Sequence, residues 1–286
     1  MKTVEAVHTG CCVNPAGRGK VTGCFSAGCY LRMEQGLYML HDVSYGAVPF
    51  GIAVEDVRAL LAEAGPVPGS SVTAGEGALI FESPALRVRL APRRERPDRE
   101  ISSVDTALAA ECILQILDST DHGCVKGLCA EEKALRRGET PRFEDLYCRV
   151  AARGLAKFLP ALAENDSVGM KAGLMGFVGL GLGLTPSMDD FLTGFLYASH
   201  VLAEAGRGLT YLTALPALVK TVAEARTSEI SAAYLCAAAD NDHFSIVEDT
   251  AIALLRGDVP SARSILRVGS NSGADILTGM YFAFSA

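Results

Sequence analysis

The pattern of apolar and polar positions changes once along this chain. From residue 20 to about residue 92, short apolar runs rich in β-branched and aromatic side chains alternate with turn residues, which is typical of strands. Val57, Leu60 and Leu61 instead recur at helical spacing before Gly65-Pro66, so a helix is predicted at residues 54–64. The predicted strands are residues 21–25, 37–40, 48–54, 78–81 and 86–90.

After residue 101 the apolar positions recur with the period of a helix, and this continues to the C-terminus. A charged, proline-bracketed run at residues 92–100 separates the two patterns and is either a domain boundary or a solvated loop. We predict an α+β protein with a β-rich N-terminal domain (residues 1–95) and a mainly helical C-terminal domain (residues 101–286). The predicted helices are residues 106–117, 143–162, 170–180, 190–202, 212–225, 229–239, 246–255, 260–266 and 275–284.

Charge and composition narrow the set of partners. The net charge of −7 over 286 residues lacks the basic excess that binding to a phosphate backbone needs, so no nucleic acid is expected. The apolar stretch at residues 172–202 is interrupted by Pro186, Asp189 and Asp190, and no membrane span is expected. The N-terminus has no signal-peptide pattern, and the nine scattered cysteines indicate reduced thiols. We expect a cytoplasmic protein that binds a small polar metabolite.

The most distinctive segment is G-L-G-L-G-L-T-P-S-M-D-D-F-L-T-G at residues 179–194. Alternate glycines allow positive φ and bring backbone N–H groups close to a ligand. The following Thr-Pro-Ser is a helix-start signal, and Asp190 follows Ser187 at the spacing of a capping box. We predict that this segment binds phosphate or carboxylate through Gly179, Gly181, Gly183, Thr185 and Ser187.

The second half of this segment is echoed near the C-terminus. Residues 187–194 and 272–279 share serine, aspartate, leucine, threonine and glycine at the same spacings. A match of this quality arises about once by chance in a chain of this length, so the identity alone is weak evidence for a repeat. Both copies nevertheless combine a polar loop, a capping box and an apolar helix, and we predict that the two helix starts face one site.

The carboxylates in the first turn conflict with a simple phosphate site, because they offset the helix dipole and repel an anion. One alternative is that Asp189 or Asp190 holds Mg²⁺, which bridges to phosphate. In another, these carboxylates accept hydrogen bonds from an amide or carbamoyl NH₂, with Asp275 as a further acceptor. In a third, Asp190 and Asp275 only cap their helices.

A third polar helix start is present at residues 226–231. Arg226 is a candidate cation for an anionic substrate, and the hydroxyls of Thr227 and Ser228 are candidate oxyanion ligands. The alternative is that Arg226 is simply a solvated side chain at a helix end.

The segment at residues 179–190 resembles the signature G-L-G-x-G-L-T-P-S-G-D-D of a bacterial family that includes the AllH-type subunit of oxamate carbamoyltransferase. The likeness extends to residues 226–231, to residues 269–279 with Ser270, Asn271 and Ser272, and to the early strands. Met188 stands where the signature has glycine, and Ser270-Asn271 stands where His-Thr is expected.

The resemblance implies a subunit of a carbamoyltransferase in anaerobic purine or allantoin breakdown, interconverting oxalurate plus phosphate with oxamate plus carbamoyl phosphate. Other subunits of a transferase complex, or further copies of this chain, are the implied partners. The remaining alternatives are an ATP- and Mg²⁺-dependent kinase or carboxylase-like enzyme and a non-catalytic interface subunit. On this basis we assign catalytic roles to Asp189, Asp190 and Asp275, substrate binding to Gly179, Gly181, Gly183, Thr185, Ser187, Arg226, Thr227, Ser228, Ser270, Asn271 and Ser272, and the Mg²⁺ alternative to Asp189 and Asp190.

Overall fold

The computed structural model describes residues 2–25, 28–82, 85–93, 96–97, 101 and 104–285. The chain forms two compact units. The sheet unit comprises Met1–Asp98 with Asp242–Ile246, and the helical unit comprises Arg99–Asn241 with Val247–Ala286. The predicted α+β class is confirmed. The charged run at 92–100, predicted to separate two domains, lies partly outside the described residues.

The sheet unit contains a nine-stranded sheet within the described residues, in the order β1-β9-β8-β7-β3-β4-β5-β6-β2. The pairs β1–β9 and β5–β6 are parallel, and the other neighbours are antiparallel. The strands are β1 (Lys2–Glu5), β2 (His8–Thr9), β3 (Gly17–Phe25), β4 (Gly28–Met33), β5 (Gly36–Asp42), β6 (Gly51–Val54), β7 (Ser71–Gly75), β8 (Ala78–Phe81) and β9 (Leu86–Arg89).

One helix of the sheet unit, α1 (Val57–Ala64), buries Val57 and Leu60 in the same apolar core as the strands. It begins three residues after the predicted start at 54. Val54 still belongs to β6, and the Asp56 carboxylate accepts a hydrogen bond from the N–H of Ala59 at 3.3 Å. An aspartate in this position ends the extended chain and caps the helix, which fixes the boundary.

The remaining helices are α2 (Thr106–Asp118), α3 (Glu132–Arg136), α4 (Leu146–Ala163), α5 (Ser167–Phe177), α6 (Ser187–Glu204), α7 (Leu215–Arg226), α8 (Glu229–Ala239), α9 (Ser245–Leu255), α10 (Val259–Ala262) and α11 (Ser272–Phe284). The helix predicted at 170–180 ends at Phe177, because Val178 is extended and Gly179 has a φ of +82°. The helix predicted at 260–266 is divided between α10 and a 3₁₀ turn. Within the described residues, no helix has both the length and the apolar character that crossing a membrane requires.

Helices α6 and α11 pack with their backbones in direct contact near their first turns. A Cβ atom at Gly279 of α11 would overlap the carbonyl oxygen of Phe191 in α6. A Cβ atom at Gly194 of α6 would in turn overlap the carbonyl oxygen of Ile276 in α11. Phe191 and Ile276 each follow the aspartate of their own motif, so the two copies of the echoed sequence pack on each other reciprocally.

Candidate functional site

The two echoed helix starts lie side by side in the helical unit. The hydroxyl oxygens of Thr185, before α6, and Ser272, in the first turn of α11, are 3.3 Å apart. The two helix starts that the sequence predicted to face one site therefore lie next to each other. We call the residues from Thr185 to Asp190 and from Ser272 to Asp275 the paired helix starts.

The serine and aspartate of each copy interact across the pair. The Ser272 hydroxyl lies beside the Asp190 carboxyl, the Ser187 hydroxyl lies beside the Asp275 carboxyl, and each hydroxyl stabilises the charge of its neighbour. Pro186 and Asn271 occupy the N-cap positions, and neither makes a side-chain capping bond. The capping-box prediction was wrong, because Ser187 and Ser272 are each the first residue inside a helix. The hydroxyl of each serine lies beside the aspartate of the other helix.

Asp275 is fully buried, and its two carboxyl oxygens have different surroundings. Oδ1 accepts a hydrogen bond from the N–H of Val125 at 3.1 Å. Oδ2 has no hydrogen-bond partner among the described residues. Burial raises the pKa of Asp275 to about 6, since removing water disfavours the charged form. The hydrogen bond from Val125 and the nearby polar groups of Ser187 and Cys124 oppose this shift.

The raised pKa of Asp275 predicts that stability falls as pH rises from about 4 to about 6. In this window the folded protein holds a proton that the unfolded chain has released, so the free energy of unfolding decreases with pH. The shift from 3.8 to about 6 corresponds to about 3 kcal/mol. Urea unfolding measures the free energy of unfolding of wild type and of Asp275→Asn at pH 4 and pH 7. The value for wild type minus the value for the variant should fall by this amount from pH 4 to pH 7. Parallel stability curves for the two proteins would contradict the assignment.

Asp190, the aspartate of the other helix start, is also buried. Thr185 donates a hydrogen bond to its Oδ2 at 3.1 Å. Burial raises the pKa of Asp190 well above its usual value, and the negative charges of Asp275 and Asp189 raise it further against the effect of the Ser272 and Thr185 hydroxyls. Two neighbouring carboxyls with raised pKa values favour a site that holds or transfers a proton.

Asp189 accepts hydrogen bonds from a different set of residues. We call Asp189 and its three partners, Gly179, Thr227 and Ser231, the Asp189 cluster. Gly179 N–H donates to Oδ1 at 2.7 Å, and the Ser231 hydroxyl donates to Oδ2 at 2.6 Å. The Thr227 hydroxyl also donates to Oδ2. Burial raises the pKa of Asp189, and these three donors oppose the rise. The carboxyl thus joins the glycine-rich loop to the loop between α7 and α8.

The glycine-rich loop has the positive φ values that its sequence predicts, 82° at Gly179, 136° at Gly181 and 97° at Gly183. Gly181 packs directly over the N–H of Ser187, where a Cβ would overlap the backbone. The N–H of Met188 donates to the carbonyl of Leu180 at 3.0 Å. The start of α6 is therefore covered by its own loop, while Gly183 remains exposed.

The other predicted site residues lie at or below the surface of the same unit. Arg226 and Ser270 are exposed, whereas Asn271 accepts a hydrogen bond from the N–H of Gly123 at 3.0 Å. Ser228 caps α8 by accepting from the N–H of Ser231 and donates to the Leu184 carbonyl. Ser187 is buried beside Asp275, which suits positioning rather than contact with a ligand. The side chain of Met188 is fully buried, so the departure from the signature glycine adds volume to the core and not to a ligand site.

The arrangement does not suit Mg²⁺ at Asp189 and Asp190. Mg²⁺ requires near-octahedral oxygen ligands and usually retains several waters. Asp189 is buried with both oxygens already accepting hydrogen bonds, and the donors around it would have to be displaced by the ion. Oxygens of Asp189, Asp190 and Asp275 do not form a metal-binding group among the described residues.

Sequence reasoning missed three contributors to the site. Ser231 completes the Asp189 cluster, and Gly123 and Val125 hold Asn271 and Asp275 through backbone N–H groups. Ser231 had a local signal, since it follows Ser228 at capping distance and belongs to the matched motif. Gly123 and Val125 had none, because a backbone donor leaves no mark in the sequence.

These features define an α+β protein whose helical unit joins two similar helix starts through serine–aspartate pairs with buried carboxyls. Residues 177–284 match the family described as oxamate carbamoyltransferase subunit AllH, and this range contains both helix starts. The match is consistent with the AllH-like assignment, and the description of that family is of a subunit of oxamate carbamoyltransferase. No curated protein and no solved structure matches the chain.

Proposed function

We propose that this chain is a subunit of an oxamate carbamoyltransferase-type enzyme whose paired helix starts bind the amide or ureido end of the substrate. The reaction interconverts oxalurate plus phosphate with oxamate plus carbamoyl phosphate. The observation that carries the proposal is the hydroxyl pair of Thr185 and Ser272, whose oxygens are 3.3 Å apart. Thr185 donates to Asp190 at 3.1 Å, and Ser272 lies close enough to the same carboxyl to stabilise its charge.

A hydroxyl pair in this setting suits an amide because a hydroxyl both donates and accepts hydrogen bonds. Thr185 and Ser272 are half-buried and Asp190 is buried. Each hydroxyl that gives its proton to Asp190 keeps lone pairs that accept from an amide N–H. When Asp190 is protonated, the same hydroxyls pass its proton to a bound nitrogen.

The chemistry in the direction of oxalurate cleavage requires one proton at the leaving nitrogen. A phosphate oxygen forms a bond to the carbamoyl carbon, and the bond from that carbon to the oxamate nitrogen breaks. Asp190 gives the nitrogen its proton through Thr185 or Ser272, and the proton lost by the attacking hydrogen phosphate restores the acid. The raised pKa of Asp190 supports this role, because a general acid works best with a pKa near the working pH.

The anionic groups of the substrates need a cation and N–H donors. Arg226 is exposed at the end of α7, and its neighbour Thr227 is held by Asp189. We assign phosphate or carboxylate binding to Arg226 and to the exposed backbone at Gly183. The Asp189 cluster then positions both segments, since it connects Gly179 at the start of the loop to Thr227.

The test is phosphate-dependent release of oxamate from oxalurate by the enzyme assembled with its partner subunits. We expect Asp190→Asn to lower kcat by about 100-fold or more with little change in KM, since general acid catalysis contributes about 10²- to 10⁴-fold. The matched control is Asp258→Asn, because Asp258 is an exposed residue that caps α10 through the N–H of Ser261. The proposal fails if the complete complex does not cleave oxalurate, or if both variants retain wild-type kcat.

A further inference from the structure

A second cluster of chemically reactive side chains is present in the sheet unit. Cys11 and Cys12 lie in the turn after β2, and Asp242, which belongs to the same unit, lies shortly before α9. The two sulfur atoms are 3.9 Å apart, and the Cys12 thiol donates to Asp242 Oδ2 at 3.0 Å. One ligand atom from each of the three residues lies within 4.8 Å of the others.

The spacing of these atoms agrees with a tetrahedral metal site. Zn–S bonds of about 2.3 Å and Zn–O bonds of about 2.0 Å place two sulfurs about 3.8 Å apart and a sulfur and an oxygen about 3.5 Å apart. The observed separation of the sulfurs is 3.9 Å. The shorter contact from Cys12 to Asp242 is that of a thiol hydrogen bond, and replacing the proton by an ion requires an outward movement of about half an ångström.

A disulfide between Cys11 and Cys12 fits this geometry less well. Adjacent Cα atoms are about 3.8 Å apart across a trans peptide, whereas disulfides usually join Cα atoms that are about 4.4–6.8 Å apart. Two thiolates and one carboxylate together favour a borderline-soft divalent ion such as Zn²⁺ over Mg²⁺ or Ca²⁺.

We propose that Cys11, Cys12 and Asp242 bind one thiophilic divalent cation of the Zn²⁺ type. Both thiols release their protons to solvent on binding, so two thiolates and one carboxylate surround the ion. Three protein ligands leave the fourth tetrahedral position to water or to another ligand. Cys12 is exposed, so the ion reaches the cluster from solvent. None of these residues belongs to the paired helix starts or to the Asp189 cluster.

The probe is Co²⁺, whose thiolate complexes absorb visible and near-ultraviolet light, followed by displacement with Zn²⁺. The reduced, metal-free full chain should bind one Co²⁺ with a thiolate charge-transfer band. Cys12→Ser and Asp242→Asn should weaken binding by at least about 100-fold and about tenfold respectively, since loss of even an outer-shell partner costs about 10- to 100-fold.

The matched control is Cys236→Ser, which removes a half-buried thiol of α8 outside the cluster and should leave the affinity unchanged. As a second readout, Zn²⁺ should raise the Tm of the wild type but not that of Cys12→Ser. The proposal is overturned if the reduced protein shows no thiolate band, or if Cys12→Ser binds as tightly as the wild type. Equal loss of affinity in Cys236→Ser would also overturn it.

Discussion

Replacing Gly279 with alanine should destabilise the helical unit by about 3 kcal/mol or more. The added Cβ would overlap the backbone carbonyl of Phe191, and a backbone atom cannot rotate away as a flexible side chain does. Helices α6 and α11 must therefore move apart. That movement separates Thr185 from Ser272, so we expect the variant to lose activity as well as stability.

The measurement is urea unfolding followed by far-ultraviolet circular dichroism. Gly194→Ala should have a similar effect, because Gly194 meets the Ile276 carbonyl in the same crossing. The double variant should cost clearly less than the sum of the two, since both changes disrupt one contact. Gly208→Ala is the matched control: Gly208 is exposed, an added Cβ there would meet open space, and its effect should stay within about 0.5 kcal/mol. If Gly279→Ala matches that control, the close reciprocal packing is refuted.

Replacing Asp189 with alanine should cost about 3–5 kcal/mol in the free energy of unfolding. The change leaves the Gly179 N–H and the hydroxyls of Thr227 and Ser231 without their acceptor, and each unsatisfied buried donor costs about 1–3 kcal/mol. Asp189 is 1% exposed, so water does not replace its side chain without rearrangement. The glycine-rich loop should become the first part of the helical unit to exchange its amide hydrogens.

Asp189→Asn should cost less than Asp189→Ala, because the amide oxygen still accepts one of the bonds. Asp145→Ala is the control, since this exposed aspartate caps α4 through the N–H of Cys148 at 2.8 Å and should cost about 1 kcal/mol. Thermal unfolding together with hydrogen exchange measures both effects. Equal costs for Asp189→Ala and Asp145→Ala would show that the Asp189 cluster does not hold the loop.

Asp189 and Asp190 are expected to have different roles, positioning for Asp189 and proton transfer for Asp190. Asp189 holds segments that carry Gly183 and Arg226, so its loss should raise KM and lower stability together. Asp190 contacts the hydroxyl pair instead, and its conversion to asparagine should act mainly on kcat. A KM effect in Asp190→Asn without a kcat effect would argue against the general-acid role.

The sequence by itself determined the α+β class and the place where strands give way to helices, because apolar periodicity is a local property. It also determined the positive φ of the glycine-rich loop, since alternate glycines make that conformation inexpensive. The echo of Ser187–Gly194 in residues 272–279 was visible, although its chance frequency gave it little weight. Helix boundaries were predicted less accurately than the helices themselves: α6 begins three residues before the predicted start, at the residue that follows Pro186.

Only the tertiary structure decided which side chains meet. The spacing of Ser187 and Asp190 is the same in a capping box as in the crossed pairing with α11, and only the position of α11 distinguishes the two. Thr227 reaches Asp189 across 38 residues, and Val125 reaches Asp275 across 150. A hydrogen bond between distant residues depends on where the helices pack, and that packing is settled by the whole core rather than by the residues that form the bond.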